Sequence, residues 1–532
     1  MPTEQAGKAS NAAEGTGGQG CTGNPGRTQK IAALEELADF VAAERAAGRK
    51  IVHCHGVYDL VHIGHIKHLQ AARALGDVLV VTITPDEYVD KGPHRPVFPA
   101  SLRAEAIAAL SCVDGVAINK WPTAVETIKL LKPDLYVKGR AREKGPRDHT
   151  DAIVLEEETV KAVGGKLVLT DEETYSASAL INRHLDIFSP EAKEFLAAFR
   201  AKYSEEGILS KLDAMRPLRV LTVGESIIDE YQFCSVMSKA NKDPILAARH
   251  KYTEKYAGGI LAVANHVAGF CDRVGLLSML GEQDSQVDFI TLHLDSKVHA
   301  HFLRKPDSPT IVKRRFLEEY GSVKLFEVYI MRNEHLSPDD EAAFCRRLEE
   351  LMPQFDVVVC ADYGHGLFTE KAIEVLSTRA PFLAVSAQTN AGNRGFNMIS
   401  RWPHADFISI DEPEARLETR DEQADIRSLI QIISRRTTCK RMLVTQGRKG
   451  TLCYDEKAGF FELPALAARI VDRIGAGDAV LALAGPAAAL GLPIELVGFF
   501  GNVAGAEACG IMGNKSAINP TSIRRYVTSL HK

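Results

Sequence analysis

The stretch from Ile51 to Leu69 constrains this chain more than any other. It opens on the apolar pair Ile51-Val52, reaches Gly56, and runs on through Val57-Tyr58-Asp59-Leu60-Val61-His62-Ile63-Gly64-His65-Ile66-Lys67-His68-Leu69. An apolar strand that turns at a glycine and enters a helix is the repeating unit of a parallel α/β sheet. The helix start points unpaired N–H groups outward, which suits phosphate. Gly64 has no side chain to keep a ligand off the backbone. His62 and His65 are three residues apart, so both can face one bound group. The stretch reads as a nucleotide site for chemistry at phosphorus.

A chain of 532 residues is too long for one ordinary core, so two or three domains are expected. Hydrophobic residues at 45% and charged residues at 25% fit a soluble globular protein. A net charge of -5 gives no basic footprint for nucleic acid or an anionic membrane. The ten cysteines show no CxxC pair and no metal-ligand rhythm, which fits free thiols in a reducing cytoplasm. No apolar run reaches membrane-spanning length. Residues 1–27 lack an apolar signal core and read as a disordered tail.

Helical spacing of Ile31, Leu34, Leu37, Phe40 and Val41 predicts a helix over 30–48, with Thr28 as its cap and Gly48 as its end. Strands are expected at 76–83, 113–118, 135–137 and 166–169, separated by helices at 101–110 and 123–131 and a further one after the third strand. That alternation predicts a doubly wound parallel sheet over 28–186, with ligands at the carboxyl ends of its strands. Residues 187–217 read as a helical connector. A second α/β domain is expected over 218–532, with strands at 219–224, 356–360 and 442–444 and a glycine-rich helix start at Gly475-Ala476-Gly477-Asp478. The fold class expected is α/β, with two doubly wound parallel-sheet domains.

The first domain resembles the cytidylyltransferase-like nucleotidylyltransferases. Within them it is most similar to the adenylyltransferase half of the bifunctional heptose-7-phosphate kinase/heptose-1-phosphate adenylyltransferase family. The likeness rests on the lead-in helix from Lys30, the His62-x-Gly64-His65 motif, Lys91-Gly92…Arg95-Pro96-Val97 and Pro133-Asp134-Leu135-Tyr136-Val137-Lys138-Gly139. The resemblance implies that a sugar or alcohol phosphate attacks the α-phosphorus of a nucleoside triphosphate. His62 and His65 would then be catalytic, holding the triphosphate and the pentavalent phosphorus. Gly56 and Tyr58 of the motif, with Lys138 and Gly139, would lie at the nucleotide. Lys91 would meet the triphosphate or the acceptor phosphate, and Arg95 would bind phosphate as a planar fork. Ser176 and Ser178 stand in the family's hydroxyl-rich helix start, with Ala177 replacing one hydroxyl. His55 and Tyr58 also depart from the family pattern. His53, His55 and His68 are expected to be structural. The nucleotide is ATP or CTP.

The second domain resembles the ribokinase-like (PfkB) carbohydrate kinases, through Gly258-Gly259, Thr445-Gln446-Gly447-Arg448-Lys449-Gly450 and the GAGD motif. Asp362-Tyr363-Gly364-His365-Gly366 and Pro309-Thr310-Ile311-Val312-Lys313 again resemble the heptose-phosphate branch. The resemblance implies Asp478 as catalytic base, with Gly475, Ala476 and Gly477 at the transferring phosphoryl group. It implies Thr445, Gly447 and Gly450 at ATP, and Asp229, Gly258 and Gly259 at sugar hydroxyls. Lys313 and Arg315 would face a sugar phosphate, and Asp411 and Glu414 would act through Mg2+ and water. Ile474, Ala262 and Ser386-Ala387-Gln388 replace the family's Thr, Asn and Asp-Pro-Lys.

Together the halves imply a bifunctional enzyme that phosphorylates a sugar phosphate and converts a sugar 1-phosphate to a nucleotide-activated sugar. The family's kinase half usually comes first, and here the order is reversed. The alternative is a nucleotidylyltransferase whose kinase-like domain only binds ligand or builds a dimer. The partners expected are a sugar phosphate, a nucleoside triphosphate and a second copy of the chain, with no nucleic acid, no membrane and a cytoplasmic location.

Overall fold

The computed structural model describes residues 30–89, 95–139, 151–170, 189–240, 242–321, 323–467 and 470–531. They form two compact units, one holding the described residues up to 170 except Arg95, the other holding Arg95 and residues 189–531.

The first unit is a five-stranded sheet in the order β3-β2-β1-β4-β5, with every neighbouring pair parallel. The strands are β1 (Ile51–Gly56), β2 (Val78–Ile83), β3 (Gly115–Ile118), β4 (Leu135–Gly139) and β5 (Lys166–Thr170). Alternate side chains of a strand face opposite sides of a sheet. Val52, Cys54, Leu79 and Val81 accordingly pack with Leu69, Ala72, Ala104 and Ile107 from the helices Ile63–Arg73 and Ala100–Ala108. Ile51, Val78 and Val80 pack on the other face with Leu34, Leu37, Val41 and Leu131. The first helix runs Leu34–Ala46 rather than from residue 30, because Ile31 makes a parallel bridge to Val116. Thr28 lies outside the described residues. Gly48, at φ +76°, ends the helix as expected.

The second unit holds a nine-stranded sheet in the order β10-β9-β6-β13-β14-β15-β16-β17-β18, parallel except at its last two pairings. Its strands are β6 (Arg219–Gly224), β9 (Arg273–Gln283), β10 (Val298–Pro309), β13 (Val357–Asp362), β14 (Leu383–Ala387), β15 (Phe407–Asp411), β16 (Arg441–Thr445), β17 (Thr451–Asp455) and β18 (Gly459–Leu463). A separate sheet, ordered β12-β11-β7-β8, is built from β7 (Ser226–Lys239), β8 (Leu246–Gly259), β11 (Ile311–Glu318) and β12 (Lys324–Ile330). The charged stretch 189–215 forms the helices Pro190–Lys202 and Glu205–Asp213. Their Leu196, Phe199, Ile208 and Leu212 are buried in the same core as Val220, Val359 and Phe499, so these helices are an integral layer of the second unit. Among the described residues no helix is long and apolar enough to cross a membrane.

Two histidines sit inside the buried sheet of the first unit. His53 Nε2 lies 2.8 Å from Thr82 Oγ1, and His55 Nδ1 lies 2.9 Å from the same oxygen. His55 Nε2 then meets Thr84 Oγ1 at 3.2 Å. One hydroxyl proton cannot serve both rings, so at least one imidazole donates to Thr82. Burial pushes His53 down to about 3 and His55 well below its usual range. His68, bonded to Thr170 Oγ1 at 2.8 Å, is pushed down to about 4 by the same cause. These rings stay neutral when folded and take a proton only when unfolded. Their contribution is therefore complete above the ordinary histidine pKa and is lost as pH falls toward the folded values. Each removes about 1.4 kcal/mol of stability per pH unit in that window. Ring-proton NMR of the full chain should show no titration of these three histidines between about pH 8 and pH 5. Titration of His53 or His55 near the ordinary value would contradict the burial.

Candidate active sites

In the first unit, β1 ends at Gly56 and the chain reaches the helix Ile63–Arg73 through residues 57–62. A Cβ on Gly56 would stand 3.1 Å from the Tyr58 ring, so the glycine lets Tyr58 fold back over the strand end. Tyr58 and Leu60 both have positive φ, 51° and 52°. Two non-glycine residues in that region store backbone strain, a frequent property of ligand loops. His62 is the helix cap: its Nδ1 accepts the Gly64 N–H at 3.1 Å. That bond leaves Nε2 to carry the proton of the neutral ring. Nε2 is buried and has no hydrogen-bond partner among the described residues. His65 stacks on His62 with centroids 4.0 Å apart, and Tyr58 meets His65 edge-on at 5.4 Å. Burial lowers the pKa of His62, which keeps it neutral and a donor. The two histidines thus come together at a helix start, as their spacing requires.

The strand end of β4 is less open. Lys138 Nζ lies 3.1 Å from the buried Glu156, which also accepts from Tyr136. Gly139 follows it, with His68 the nearest side chain to a Cβ placed there. Arg95 groups with the second unit. Lys91, Ser176 and Ser178 lie outside the described residues.

Two residues the motifs did not mark hold this loop in place. Asp59, buried, accepts the Val97 N–H with both oxygens at 2.9 and 3.0 Å. Arg103 is 1% exposed, and its guanidinium bonds the carbonyls of Val57, Thr84 and Phe98 and the carboxylate of Asp86. Its sequence signal was position: Arg103 shares the buried face of its helix with Ala100, Ala104 and Ile107.

In the second unit a cavity of about 720 Å³ collects most of the expected kinase residues: Asp229, Gly259, Lys313, Arg315, Asp411, Glu414, Thr445 and 475–478. Gly475, at φ +82°, is the cap of the helix Ala476–Ala489. A Cβ there would collide with Asn514 Oδ1 at 2.2 Å, so both conformation and space demand glycine. Gly477 has open space around it. Asp478 follows in the first turn, where the helix dipole favours negative charge. Its carboxylate is almost fully buried, which pushes its pKa up to about 6. The Tyr363 hydroxyl donates to Asp478 Oδ1 at 2.8 Å.

Asp229, on β7, receives bonds from Arg315 and from Asn514 Nδ2 at 2.9 Å. A Cβ on Gly258 would stand 2.0 Å from Asp229 Oδ2, which explains the glycine. Gly259, at φ +57°, starts the next helix. Arg315 also pairs with Glu327 at 3.2 Å, so its charge is already matched within the protein. Lys313 differs. Its ammonium lies over the rings of Tyr329 and Tyr363, 5.2 and 5.8 Å away, with no ion pair among the described residues, and burial lowers its pKa.

Asp411 and Glu414 form a reciprocal cap at the helix Glu412–Thr419. Glu414 accepts the N–H groups of Asp411 and Thr389, while Asp411 Oδ1 accepts that of Glu414. The two side chains also share a carboxyl–carboxylate hydrogen bond. Burial and then the Asp411 charge push Glu414 up to about 8, and burial and the Glu412 charge raise Asp411 as well. Two acids side by side at the cavity suit a divalent ion held through its waters. No cluster of three or more His, Cys, Asp or Glu able to hold a metal directly occurs among the described residues. Thr445 ends β16 at the cavity, and Gly447 and Gly450 bracket the following turn at φ +57° and +102°. Ile474 packs against Tyr231, Phe233 and Tyr256 and also lines the cavity. Asp472 organises the segment ahead of the GAGD motif. It accepts from the Tyr231 hydroxyl at 2.7 Å, from Lys324 and from the Gly513 N–H.

Replacing Arg103 with methionine should take this donor from the buried Thr84 carbonyl and the part-buried carbonyls of Val57 and Phe98 and lower stability by about 3 kcal/mol. Urea unfolding of the full chain, followed through amides of 51–107, measures it. An unchanged midpoint would mean the guanidinium does not hold the loops.

The pfkB family carbohydrate kinase model matches residues 217–521, and the Cytidylyltransferase-like model matches residues 53–183. Bifunctional protein HldE of Syntrophotalea carbinolica is 39% identical over 160 residues, 30% of this chain and 31% of that protein. Bifunctional protein HldE of Trichlorobacter lovleyi is 41% identical over 142 residues, 26% of this chain and 28% of that protein. These matches fall in the N-terminal part, so the chain spans about a third of the length of the curated relatives it matches. Phosphofructokinase-2 from Escherichia coli, solved with fructose-6-phosphate, is 17% identical, with 59% of this chain and 100% of that one covered at a TM-score of 0.48. The chain belongs to the pfkB family of carbohydrate kinases, with a cytidylyltransferase-like domain ahead of the kinase domain.

Proposed function

We propose that the chain is a bifunctional enzyme: a sugar-phosphate kinase, and a nucleotidylyltransferase that converts a sugar 1-phosphate to a nucleotide-activated sugar of the ADP-heptose type. The observation that carries the reading is the buried Asp478 beside the Gly475–Gly477 turn, in one cavity with the unpaired Lys313 ammonium. A buried cation without a carboxylate partner suits an anionic acceptor, and a phosphate on the sugar supplies that charge.

In the kinase step the acceptor hydroxyl gives its proton to Asp478. The hydroxyl oxygen forms a bond to the γ-phosphorus of ATP, the bond to the β,γ-bridging oxygen breaks, and ADP leaves. N–H groups at the start of the helix Ala476–Ala489 stabilise charge on the moving phosphoryl group. Asp411 and Glu414 would hold Mg2+ through its waters. Bound there, Mg2+ neutralises triphosphate charge. Asp229, fixed by Arg315 and Asn514, orients sugar hydroxyls, and Lys313 holds the acceptor's phosphate.

In the second step the oxygen of a sugar 1-phosphate attacks the α-phosphorus of ATP or CTP, and pyrophosphate leaves. His62 and His65 need only donate hydrogen bonds to the phosphorus oxygens, which the Nε2 proton of a neutral His62 permits. Lys91, Arg95, Lys138, Ser176 and Ser178 remain proposed anion contacts for this step.

Purified chain given ATP, CTP, Mg2+ and a panel of sugar phosphates including heptose 7-phosphate should release ADP and pyrophosphate. Asp478→Asn should remove ADP release by at least about 100-fold, the scale of a general base, and leave pyrophosphate release from added sugar 1-phosphate intact. His65→Ala should do the reverse. ADP release that survives Asp478→Asn would mean the kinase-like unit only binds ligand.

We also propose a homodimer through the four-stranded sheet, which leaves Met237, Leu246, Tyr252 and Val328 exposed. Sedimentation velocity should give twice the chain mass, and Val328→Asp should shift it toward the monomer. A monomer at every concentration would refute the dimer.

A further inference from the structure

Tyr363 is the buried residue of the kinase cavity whose contacts exceed what packing requires. Its N–H donates to Glu225 Oε2 at 3.1 Å. Its carbonyl accepts from Asn390 Nδ2 and Asn393 Nδ2, both at 2.7 Å. Gly364, at φ +69°, turns the chain directly after it, and a Cβ there would stand 2.2 Å from Asn393 Nδ2. Asp362, just before it, is anchored by Gly364, Asn397, Arg401 and Trp402. The backbone of this turn therefore has one arrangement, and it aims the phenol at Asp478. The hydroxyl reaches Oδ1 at 2.8 Å, and Gln388 Nε2 approaches the same oxygen at 3.4 Å. Oδ2 receives no hydrogen bond among the described residues. Burial and the Asp478 charge hold the phenol well above its usual pKa, so it remains a donor.

We propose that Tyr363 is a positioning residue for phosphoryl transfer: it engages Asp478 by Oδ1 and leaves Oδ2 as the oxygen that takes the acceptor's proton. The proposal rests on the kinase reading above. A carboxylate with both oxygens free could rotate about its Cβ–Cγ bond and meet the acceptor with either one. Tyr363 removes that freedom, and Gln388 supports it from the segment after β14. The asparagines at 390, 393 and 397 act one step further out, because they hold the turn that carries the phenol. The Asp-Pro-Lys of the family's pattern is absent from this stretch, and its replacement Ser386-Ala387-Gln388 with the following Thr389-Asn390 supplies amides for this bracing.

The test is Tyr363→Phe, which keeps the ring and removes only the hydroxyl. A hydrogen bond donated to a carboxylate stabilises its charged form, so its loss raises the pKa. The other charges acting on Asp478 are Asp229 and Lys313, on β7 and β11, and both remain in the variant. Carboxyl NMR with 13C-labelled aspartate, assigned through Asp478→Asn, should show the Asp478 titration moving up by about one to two pH units. The acidic limb of kcat against pH should move by the same amount. At neutral pH kcat should fall about two- to tenfold and recover in alkali, with the KM for ATP unchanged. An unmoved carboxyl titration, or a loss of rate equal at every pH, would overturn the proposal. If the unaltered chain phosphorylates no acceptor, the kinase reading falls, and the carboxyl titration alone decides whether Tyr363 holds Asp478.

Discussion

Parallel strands buried on both faces leave a ligand only one place to bind, and both units obey that constraint. Helices cover each side of the sheet, so side chains of both parities are committed to packing. Polar chemistry is displaced to the carboxyl ends of the strands. In the first unit those ends carry Gly56 and Lys138-Gly139. In the second they carry Asp362, Asp411 and Thr445. The glycine-rich helix start at 475 closes the same rim.

The second unit then burdens that rim with buried carboxylates. Glu225, Asp362, Asp411, Glu414 and Asp478 are all raised in pKa, first of all by desolvation. Backbone N–H groups and donor side chains receive Glu225 and Asp362 almost completely, and those two hold turns. Asp411 and Glu414 bond each other and cap a helix at the cavity, and Asp478 retains one oxygen without a bond among the described residues. A carboxylate's surroundings thus separate the acids that hold turns from those that face the cavity.

The strand–helix alternation was legible in the sequence because apolar runs and glycine turns are local. The order of elements in the first unit and the principal strands of the second lie close to where the periodicity put them. The lead-in helix began later than expected, since Ile31 met a strand and Thr28 fell outside the described residues. The four-stranded sheet was not legible. β8 carries charged residues along its middle, and β7 pairs on its other side with β11, about 80 residues away in sequence. Short motifs marked His62, His65, Asp478 and the glycines. They gave no sign of the contacts of Arg103, Asn514, Asp472 and Tyr363, because those side chains act on residues far along the chain.

What the sequence determined by itself was the class of chemistry and the backbone that serves it. Gly56, close to the Tyr58 ring, Gly475, at positive φ, and polar residues at helix starts are demanded by local conformation, whereas Gly258 is demanded by the remote Asp229 carboxylate. Only the tertiary structure decided which charged side chains are available to a ligand. Arg315 and Lys313 look equivalent on one strand, two residues apart. The fold pairs Arg315 with Asp229 and Glu327 and leaves Lys313 between two aromatic rings. Charge pairing depends on distances of a few ångströms between residues remote in sequence, and no periodicity along the chain encodes them.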